Sequence, residues 1–458
     1  MVSFSFPDIY IDTSILHNFR DHEFAAASYI HEKENGLSLH DIRDAWTSFL
    51  RSQDDISQVK INFYVHIPFC IDKCYGCIYY NMKMQKKEDI DHYLDYLENY
   101  MSFFEDTFND VEFNSLFIGG GTPNILDHNQ LERFMRMITE KYKINPFSEQ
   151  VFECVPTDMD EEKVLILKKY GINKLSIGVQ STNENLLRLH GRYYQNFEQI
   201  RHLLSLVKKH NIPLSNADIL LGIRKQSLSS VLKTLEDIMK EGIDYIVMYR
   251  MNMDASTVPA MERALTRFIK DVIGNINPLL SSYGYILVDY HDFTDHSFKI
   301  EKIGVNRRFI RAGSYNDMPE SGLSLFGVGT GSRSRICGHM EYRILTPEEY
   351  YRKHSSETYD PMFFSFNSRR DVASGIIFDE LSRFIRSIAK SLEFSDSFDI
   401  SNVIQESEDV GNTMWQVLSA MQSYGYRIEG SSMKVGETKK EKWHFLLLLI
   451  QKYKEIYG

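Results

Sequence analysis

The chain has 458 residues, of which 43% are hydrophobic and 25% charged. This length and composition predict an ordinary folded protein of about two to three domains and exclude a disordered or low-complexity chain. The net charge of −11 excludes a general attraction to nucleic acid or to an anionic membrane surface. We therefore expect a small-molecule or peptide partner, with no nucleic acid and no membrane involved.

The chain termini and the cysteines indicate a reducing compartment. The first residues lack the basic start and apolar core of a secretion signal, and the longest aliphatic run, Phe445 to Ile450, is far too short to span a membrane. Five cysteines are too sparse for a disulfide framework. Outside one cluster of three, Cys154 and Cys337 are interpreted as small buried apolar residues. A cytoplasmic protein is predicted.

In chain order, residues 1–58 are predicted to be an N-terminal extension with one helix at about 39–52. From Ile61 onward, short apolar runs alternate with longer amphipathic segments, which is typical of βα units and a parallel sheet. The predicted strands are 61–66, 114–118, 150–154, 173–178, 216–221, 244–249 and 285–290. The predicted helices are 87–107, 128–141, 160–170, 183–210, 228–241 and 258–283.

These alternating elements predict an α/β fold in which residues 59–295 form a partial or complete (β/α) barrel, with chemistry at the C-terminal ends of the strands. Beyond about residue 295 the alternation weakens. Residues 296–368 are predicted to close the barrel with one more strand at 322–328. Residues 369–458 are predicted to form a small, mainly helical domain with a short hairpin at Tyr426–Val435.

The segment YVHIPFCIDKCYGC, residues 64–77, places Cys70, Cys74 and Cys77 at C-x3-C-x2-C spacing directly after a predicted strand. Iron–sulfur clusters normally take four thiolates, so a trio without a close fourth cysteine implies an external ligand on one iron. An open iron can bind the amino and carboxylate groups of S-adenosylmethionine (SAM). Two alternatives remain: a zinc site, for which His66 is the nearest fourth ligand, and a redox disulfide.

Two further motifs follow predicted strands. The glycine-rich turn Gly119–Pro123 follows the second strand, where the backbone can approach a ligand closely and Thr122 and free amides can bond to it. Glu153 ends the third strand in the sequence ECVP, where a carboxylate can bond to a ribose or an ammonium group. Taken alone, the first is equally well a tight connection and the second a solvated strand end.

The cysteine spacing, the HIPF before it and the GGGTP after it resemble the radical SAM superfamily, specifically the branch of oxygen-independent coproporphyrinogen III oxidase. The resemblance covers about residues 60–340. It implies that Cys70, Cys74 and Cys77 hold a [4Fe–4S] cluster that cleaves SAM reductively to a 5′-deoxyadenosyl radical. It also implies a reductant such as flavodoxin or ferredoxin.

The resemblance extends to the residues around the cluster. It implies that the glycine turn and Glu153 hold the cluster-bound SAM, and that Gln180, Arg192 and Asp218 contact a second SAM. Tyr64 and His66 are the candidate catalytic residues. The implied cofactor-binding set is Tyr64, Gly76, Gly120, Gly121, Thr122, Glu153, Gln180, Arg192 and Asp218.

The chain also departs from that branch. Ile78 and Tyr79 follow Cys77 where the oxidase has a further cysteine, the turn Gly222–Ser227 lacks the usual proline, and the HN-x-x-YW stretch of the haem-chaperone branch is missing. We therefore expect two SAM molecules and addition of a methyl or methylene carbon to a small metabolite or peptide.

Two other functions stay open. One is tetrapyrrole chemistry, either oxidative decarboxylation of coproporphyrinogen III or anaerobic haem opening, which a basic cluster favours. Its members are Arg307, Arg308, Arg311, Arg333 and Arg335. Carboxylate recognition would suit these arginines, although they are equally read as solvated loop charges. The other is a non-catalytic haem or cluster carrier.

Overall fold

A computed structural model describes the chain from residue 34, with gaps. It describes residues 34–35, 39–53, 55–77, 79–84, 86–251, 259–291, 297–305, 323–336, 340–344, 364–367, 388, 397–400, 411–435, 445, 448–449 and 452.

The described elements alternate between strands and helices over the first half of the chain. The helices are α1 Leu39–Arg51, α2 Lys87–Phe104, α3 His128–Lys141, α4 Glu161–Lys169, α5 Glu184–Leu189, α6 Phe197–Lys209, α7 Leu228–Lys240, α8 Pro259–Tyr283 and α9 Gly411–Ala420. The strands up to the sixth parallel one are β1 Glu34–Asn35, β2 Lys60–Ile67, β3 Phe69–Cys70, β4 Met82–Lys83, β5 Glu112–Phe113, β6 Ser115–Gly120, β7 Lys143–Ile144, β8 Gln150–Cys154, β9 Lys174–Gln180, β10 Leu214–Leu221 and β11 Tyr245–Arg250. The later strands are β12 Tyr285–His291, β13 Ser297–Lys302, β14 Leu323–Val328, β15 Arg333–Ile336, β16 Met340–Ile344, β17 Phe364–Asn367, β18 Ser397–Asp399, β19 Arg427–Glu429 and β20 Ser432–Lys434.

Most of these strands join one open sheet. Within the described residues it has 13 strands in the order β1-β17-β16-β15-β14-β2-β6-β8-β9-β10-β11-β13-β12. The run from β14 to β11 is parallel throughout. Helices α2, α3, α4, α5 with α6, and α7 connect its successive strands. The predicted α/β fold with a partial barrel is confirmed, and every predicted strand overlaps an observed one.

The sequence did not predict the antiparallel margins of the sheet. Strand β13 lies between β11 and β12 and pairs antiparallel with both, so the seventh predicted strand is not next to the sixth. At the other margin, β15, β16 and β17 add to β14 as antiparallel strands. Strand alternation alone does not encode which neighbour a strand chooses, and antiparallel pairing does not require the long crossover that parallel strands need.

The single helix predicted over 183–210 is wrong, because two helices, α5 and α6, occupy that stretch. Gly191 has a φ of +90°, a left-handed conformation that ends α5. Asn196 then caps α6 by accepting a hydrogen bond from the amide of Gln199 at 3.0 Å. The interruption places His190 and Arg192 in the turn beside the end of β9, where Arg192 reaches the Gly178 carbonyl.

The predicted N-terminal extension contributes to the main core. Helix α1 confirms the helix predicted at about 39–52, and its Trp46 is fully buried. The Trp46 indole donates to the Tyr342 hydroxyl on β16 at 2.7 Å, so the buried N–H is satisfied. The Phe326 ring of β14 lies 4.6 Å from that of Phe108 and 5.6 Å from that of Phe63. This aromatic core joins α1, the start of the barrel and its last parallel strand.

Only part of the chain beyond residue 368 is described. Its described elements are α9 and a three-stranded sheet in the order β18-β20-β19. Strands β19 and β20 confirm the hairpin predicted at Tyr426–Val435. Most of the helices predicted there lie outside the described residues, and the domain boundaries stay predictions. In the part of the chain that the structure describes, no helix combines the length and apolarity needed to cross a bilayer.

Candidate active site

Polar residues from neighbouring parallel strands meet at the C-terminal edge of the sheet. His66 on β2 lies opposite Gly119 on β6, and Glu153 on β8 lies opposite Ser176 on β9. Asp218 on β10 lies opposite Gly178 on β9, and the register shifts immediately after it. Parallel strands with this in-phase pairing bring the predicted site residues to one edge, as expected for a βα barrel.

The loop that carries the three cysteines, residues 70–77, is here called the cluster loop. Cys70, Cys74 and Cys77 are all free and half-buried. Burial raises the pKa of Cys70 to about 11, with smaller contributions in the same direction from the nearby Cys77 and Cys74. Buried thiols of this kind ionise only when a cation compensates them.

The glycine turn after β6 is bonded to the cluster loop and to the strand before it. The amide of Gly121 donates to the carbonyl of Ile67 at 2.7 Å, and the amide of Thr122 donates to that of Phe69 at 2.7 Å. A Cβ on Gly121 would lie 2.6 Å from the Phe69 carbonyl oxygen, so only glycine allows this approach. The expectation that free amides of this turn bind a ligand is wrong for these two amides.

The interruption between α5 and α6 packs on the other side of the cluster loop. The Tyr75 amide donates to the His190 carbonyl at 2.9 Å. The half-buried Arg192 donates from Nε to Cys74 Sγ at 3.3 Å and from Nη1 to the Gly178 carbonyl at 2.5 Å. Arg192 therefore links one predicted cluster ligand to β9. Its predicted contact with a second SAM stays a prediction.

Tyr64 and His66 form a buried hydrogen-bonded pair on β2. His66 Nε2 lies 2.9 Å from the carbonyl oxygen of Tyr80, which can only accept, so Nε2 carries the proton. Burial lowers the pKa of His66 to about 4, so the ring is neutral and Nδ1 accepts from the Tyr64 hydroxyl at 2.9 Å. Both ring nitrogens are therefore used within the protein, and His66 is not available as the fourth ligand of a zinc site.

Glu153 is a half-buried carboxyl group with little compensation. Its pKa is raised to about 8, mainly by burial and in smaller part by the nearby Asp218. The amide of Gly120 donates to Glu153 Oε2 at 3.2 Å. A Cβ at Gly119 would collide with this carboxyl group. A cationic group that entered here would bind to the ionised carboxylate and lower its pKa.

Asp218 lies in a small polar network across β9 and β10. It accepts from Ser176 Oγ at 2.9 Å and from Asn216 Nδ2 at 2.8 Å. Burial nevertheless raises the pKa of Asp218 to about 6. The buried Oδ1 of Asn216 has no hydrogen-bond partner among the described residues. We call Glu153, Ser176, Asn216 and Asp218 the carboxylate pocket.

Backbone geometry marks two other predicted residues. Gln180, at the end of β9, has a φ of +62°, which a non-glycine side chain adopts only when its surroundings impose it. Gly76 in the cluster loop has a φ of +74°. Only Gln180 is strained, because glycine adopts a positive φ readily, and the predicted place of both residues beside the cofactors stays a prediction.

Comparison with known proteins assigns this arrangement to a family. The sequence pattern of the radical SAM superfamily matches residues 64–238. The oxygen-independent coproporphyrinogen III oxidase of Escherichia coli K12 is 30% identical over 320 residues, which are 67% of this chain and 68% of the oxidase. The chain belongs to the coproporphyrinogen III oxidase-like family of radical SAM proteins.

Other relatives in this radical SAM family have a different name. The haem chaperone HemW of Buchnera aphidicola from Schizaphis graminum is 36% identical over 201 residues, or 43% of this chain. The match spans about half, 52%, of that chaperone's length. The solved structure of E. coli coproporphyrinogen III oxidase has the same fold, with a TM-score of 0.63 over 96% of this chain and 98% of the oxidase at 19% identity.

The cofactors of this radical SAM protein are a [4Fe–4S] cluster and SAM. The residues present fit both groups. The three thiols of the cluster loop can each bind a different iron of a cluster. The poorly compensated Glu153 and the unpartnered Asn216 Oδ1 fit a ligand that carries an ammonium group and hydroxyl groups.

The sequence did not single out several residues of this radical SAM site. Ser176 and Asn216 bond to Asp218, Asn81 bonds to Cys77, and His190 supports the cluster loop. The period of two along a strand could have indicated both Ser176 and Asn216. Asn216 lies two residues before Asp218 on β10, and Ser176 lies two residues before Gly178, which is opposite Asp218 on β9. No sequence signal indicated Asn81.

The predictions about the cysteines outside the trio and about the basic cluster can be compared with the structure only for the members that it describes. Cys154 is buried, as predicted. Arg333 and Arg335 lie half-buried on β15. The other members of the basic cluster and Cys337 lie outside the described residues.

Proposed function

We propose that this radical SAM protein binds two SAM molecules and adds a methyl or methylene carbon to a carbon atom of a small metabolite or peptide. The observation that carries the proposal is that the cluster loop and the carboxylate pocket share one edge of the sheet, with Arg192 between them. The carboxylate pocket offers two carboxyl groups with raised pKa values. Glu153 is on β8 and Asp218 is on β10, the two strands that flank β9. A single cationic group could neutralise only one of these two carboxylates, and the other would keep its charge without a cationic partner.

In this proposal each part of the site has a separate task. Cys70, Cys74 and Cys77 hold the cluster, and Glu153 holds the ammonium group of the SAM bound to it. Asp218, Gln180 and Arg192 position the second SAM. Gly76, Gly121 and Thr122 border it, although the amides of Gly121 and Thr122 are bonded within the protein. Arg192 brings a half-buried positive charge that suits a carboxylate.

When bound, the reduced cluster and SAM supply a 5′-deoxyadenosyl radical that removes a hydrogen atom. Tyr64 and His66 lie beside this site and fix each other by their hydrogen bond. Because His66 is neutral and already bonded at both nitrogens, its task is to hold Tyr64 and not to transfer a proton. The buried walls of the barrel keep water away from the reacting atoms. A reductant such as flavodoxin or ferredoxin supplies the electron.

Tetrapyrrole chemistry is the second candidate. It is favoured by the relatives of the chain, which are named as a coproporphyrinogen III oxidase and haem chaperones. Under this candidate the substrate would be coproporphyrinogen III or haem, and the half-buried Arg333 and Arg335 on β15 would face its carboxylates.

The mass of the product separates these functions. Anaerobic protein with reconstituted cluster is supplied with dithionite, SAM carrying a deuterated methyl group, and either coproporphyrinogen III, haem or a metabolite and peptide extract. The proposal predicts S-adenosylhomocysteine and deuterium in the product. Loss of carbon dioxide from coproporphyrinogen III, or opening of haem, supports the second candidate and contradicts the first. Haem binding without any turnover identifies a carrier.

A further inference from the structure

Each of the three predicted cluster ligands receives a hydrogen bond from a side chain of a different segment. Thr122, after β6, donates from Oγ1 to Cys70 Sγ at 3.5 Å. Arg192, between α5 and α6, donates from Nε to Cys74 Sγ at 3.3 Å. Asn81, after the cluster loop, donates from Nδ2 to Cys77 Sγ at 3.4 Å. The three donors are separated in sequence but meet around the sulfurs.

The orientation of the Asn81 amide follows from its neighbours. Its Nδ2 lies 2.7 Å from the carbonyl oxygen of Tyr79 as well as 3.4 Å from Cys77 Sγ. A carbonyl oxygen and a thiolate both accept hydrogen bonds, so the nitrogen and not the oxygen faces them. Two N–H donors on one nitrogen can satisfy both. Asn81 is thus fixed as a donor to the third cluster ligand.

Donors to the ligand sulfurs change the energy of the two redox states unequally. Reduction of an iron–sulfur cluster adds one negative charge that is shared with the thiolates, and hydrogen bonds to those sulfurs stabilise it. Cys70 and Cys77 are half-buried, so water screens these hydrogen bonds less than it would at an exposed site. The donors therefore favour the reduced cluster.

We infer that Thr122, Arg192 and Asn81 set the reduction potential of the bound cluster, and that each side-chain donor raises it. Asn81 is a tuning residue in this scheme: it contacts a ligand sulfur and takes no part in the proposed SAM binding. The inference rests on the proposed function only in requiring that Cys70, Cys74 and Cys77 bind the cluster. The step concerned is the addition of one electron, supplied by dithionite, which is oxidised in turn.

The test is a redox titration of the full-length protein with reconstituted cluster, followed by electron paramagnetic resonance without SAM or substrate. Asn81→Leu replaces the amide by two methyl groups on a side chain with the same branching, which removes the N–H donors. Thr122→Val replaces the hydroxyl by a methyl group and keeps the shape of the side chain. Thr122→Ser keeps the hydroxyl. Matched controls on exposed helix surfaces are Asn275→Leu on α8 and Thr139→Val on α3.

We expect the midpoint potential to become more negative in Asn81→Leu and in Thr122→Val, and more negative still when the two are combined. Thr122→Ser and both controls should keep the wild-type potential. Cluster-loaded Asn81→Leu and Thr122→Val with the wild-type potential would overturn the inference. If one variant fails to retain iron, the other decides. If both lose iron while circular dichroism shows an intact fold, these residues hold the loop and do not tune it, which also overturns the inference.

A wild-type protein that assembles no cluster would instead contradict the proposed function. The two failures are distinguishable by iron and sulfide content before the titration begins.

Discussion

The cluster loop and the carboxylate pocket lie at the same edge of the sheet but are stabilised in opposite ways. The cluster loop is supported by the protein: the Gly121 and Thr122 amides bond to Ile67 and Phe69 just before it, and the His190 carbonyl accepts from Tyr75 within it. Its tip is open to solvent, where Tyr75 is 72% exposed. The carboxylate pocket is only partly satisfied: Glu153 and Asp218 have raised pKa values although Asp218 accepts two hydrogen bonds, and Asn216 Oδ1 has no partner among the described residues.

This difference indicates how the two regions divide the work. A loop with its own hydrogen bonds can be held in shape before the metal arrives, so that the thiols are preorganised. A pocket with uncompensated carboxyl groups costs folding free energy until a cationic ligand binds, and that cost is recovered as binding free energy. The first region should therefore determine cluster assembly, and the second should determine SAM affinity.

The largest effect should come from the cluster loop. Cys77→Ala removes one of the three thiolate ligands, and we expect loss of the visible iron–sulfur absorbance and of all SAM cleavage. The control is Cys154→Ala, which removes a buried thiol on β8 that is not one of the trio. Retention of a full cluster in Cys77→Ala, or its loss in Cys154→Ala, would contradict the assignment of the ligands.

Substitutions in the carboxylate pocket should change the affinity for SAM and leave the cluster content unchanged. Glu153→Gln keeps the shape of the side chain but removes the charge that an ammonium group would contact, which should weaken SAM binding to the cluster-loaded protein by about ten- to a hundredfold. Isothermal titration with SAM measures this change.

Glu149→Gln is the matched control for Glu153→Gln. Glu149 is buried, but it precedes β8, at the opposite end of that strand, and pairs with Lys174 at 3.0 Å. Its replacement should lower stability without changing SAM affinity. Equal weakening of SAM binding in both variants would show that a general loss of structure, and not the pocket, is responsible.

The uncompensated carboxyl groups also predict a pH dependence of folding in the absence of SAM. Glu153 keeps its proton up to about pH 8 when folded but ionises near its ordinary value of 4.5 when unfolded. The folded state thus binds more protons, and stability falls as pH rises through this window. Asp218 acts in the same direction but only up to about pH 6.

His66 acts in the opposite direction, because its folded pKa of about 4 lies below the ordinary 6.5. The increase in stability that His66 causes as pH rises is complete by about pH 6.5. Glu153 is therefore the source of a decline in stability between pH 6.5 and 8. We expect the free energy of unfolding to fall there by about 1–2 kcal/mol. Urea denaturation of Glu153→Gln should show no such decline. An equal decline in the variant would refute the raised pKa.

The smallest effects concern the connection between the two regions. Gly191 has a φ of +90°, and a Cβ there would lie 3.2 Å from the carbonyl oxygen of Lys73 in the cluster loop. Gly191→Ala should lower the free energy of unfolding by about 1–2 kcal/mol and reduce cluster retention. Gly274→Ala on α8 meets no atom within 4 Å and should raise stability by about 0.5–1 kcal/mol. Thermal denaturation compares the two, and equal effects would argue against a special role for the turn.

The sequence predicted the parallel half of the fold because its signals are local. Apolar runs of strand length alternate with amphipathic helices, and the C-x3-C-x2-C spacing identifies Cys70, Cys74 and Cys77 without any tertiary information. The antiparallel strands β13 and β15 to β17 were missed, because strand pairing depends on contacts that no local pattern encodes.

The candidate site was predicted where a residue belongs to a motif and was missed where only folding brings it close. Arg192 was predicted as a site residue but placed inside a continuous helix, because the left-handed Gly191 was not recognised as a helix end. Asn81 has no motif, and its place beside Cys77 results from the path of the chain after the cluster loop. The hydrogen bond from Tyr64 to His66 depends on a tautomer that only the position of the Tyr80 carbonyl reveals.

The most direct test of the central claim is the reductive cleavage of SAM. Anaerobic protein with a reconstituted cluster, dithionite and SAM is analysed by liquid chromatography for methionine and 5′-deoxyadenosine, with Cys74→Ala in parallel. Radical SAM chemistry predicts that both products form in equal amounts with the wild type and that neither forms with the variant. A fully loaded wild-type protein that binds SAM and releases neither product would contradict it.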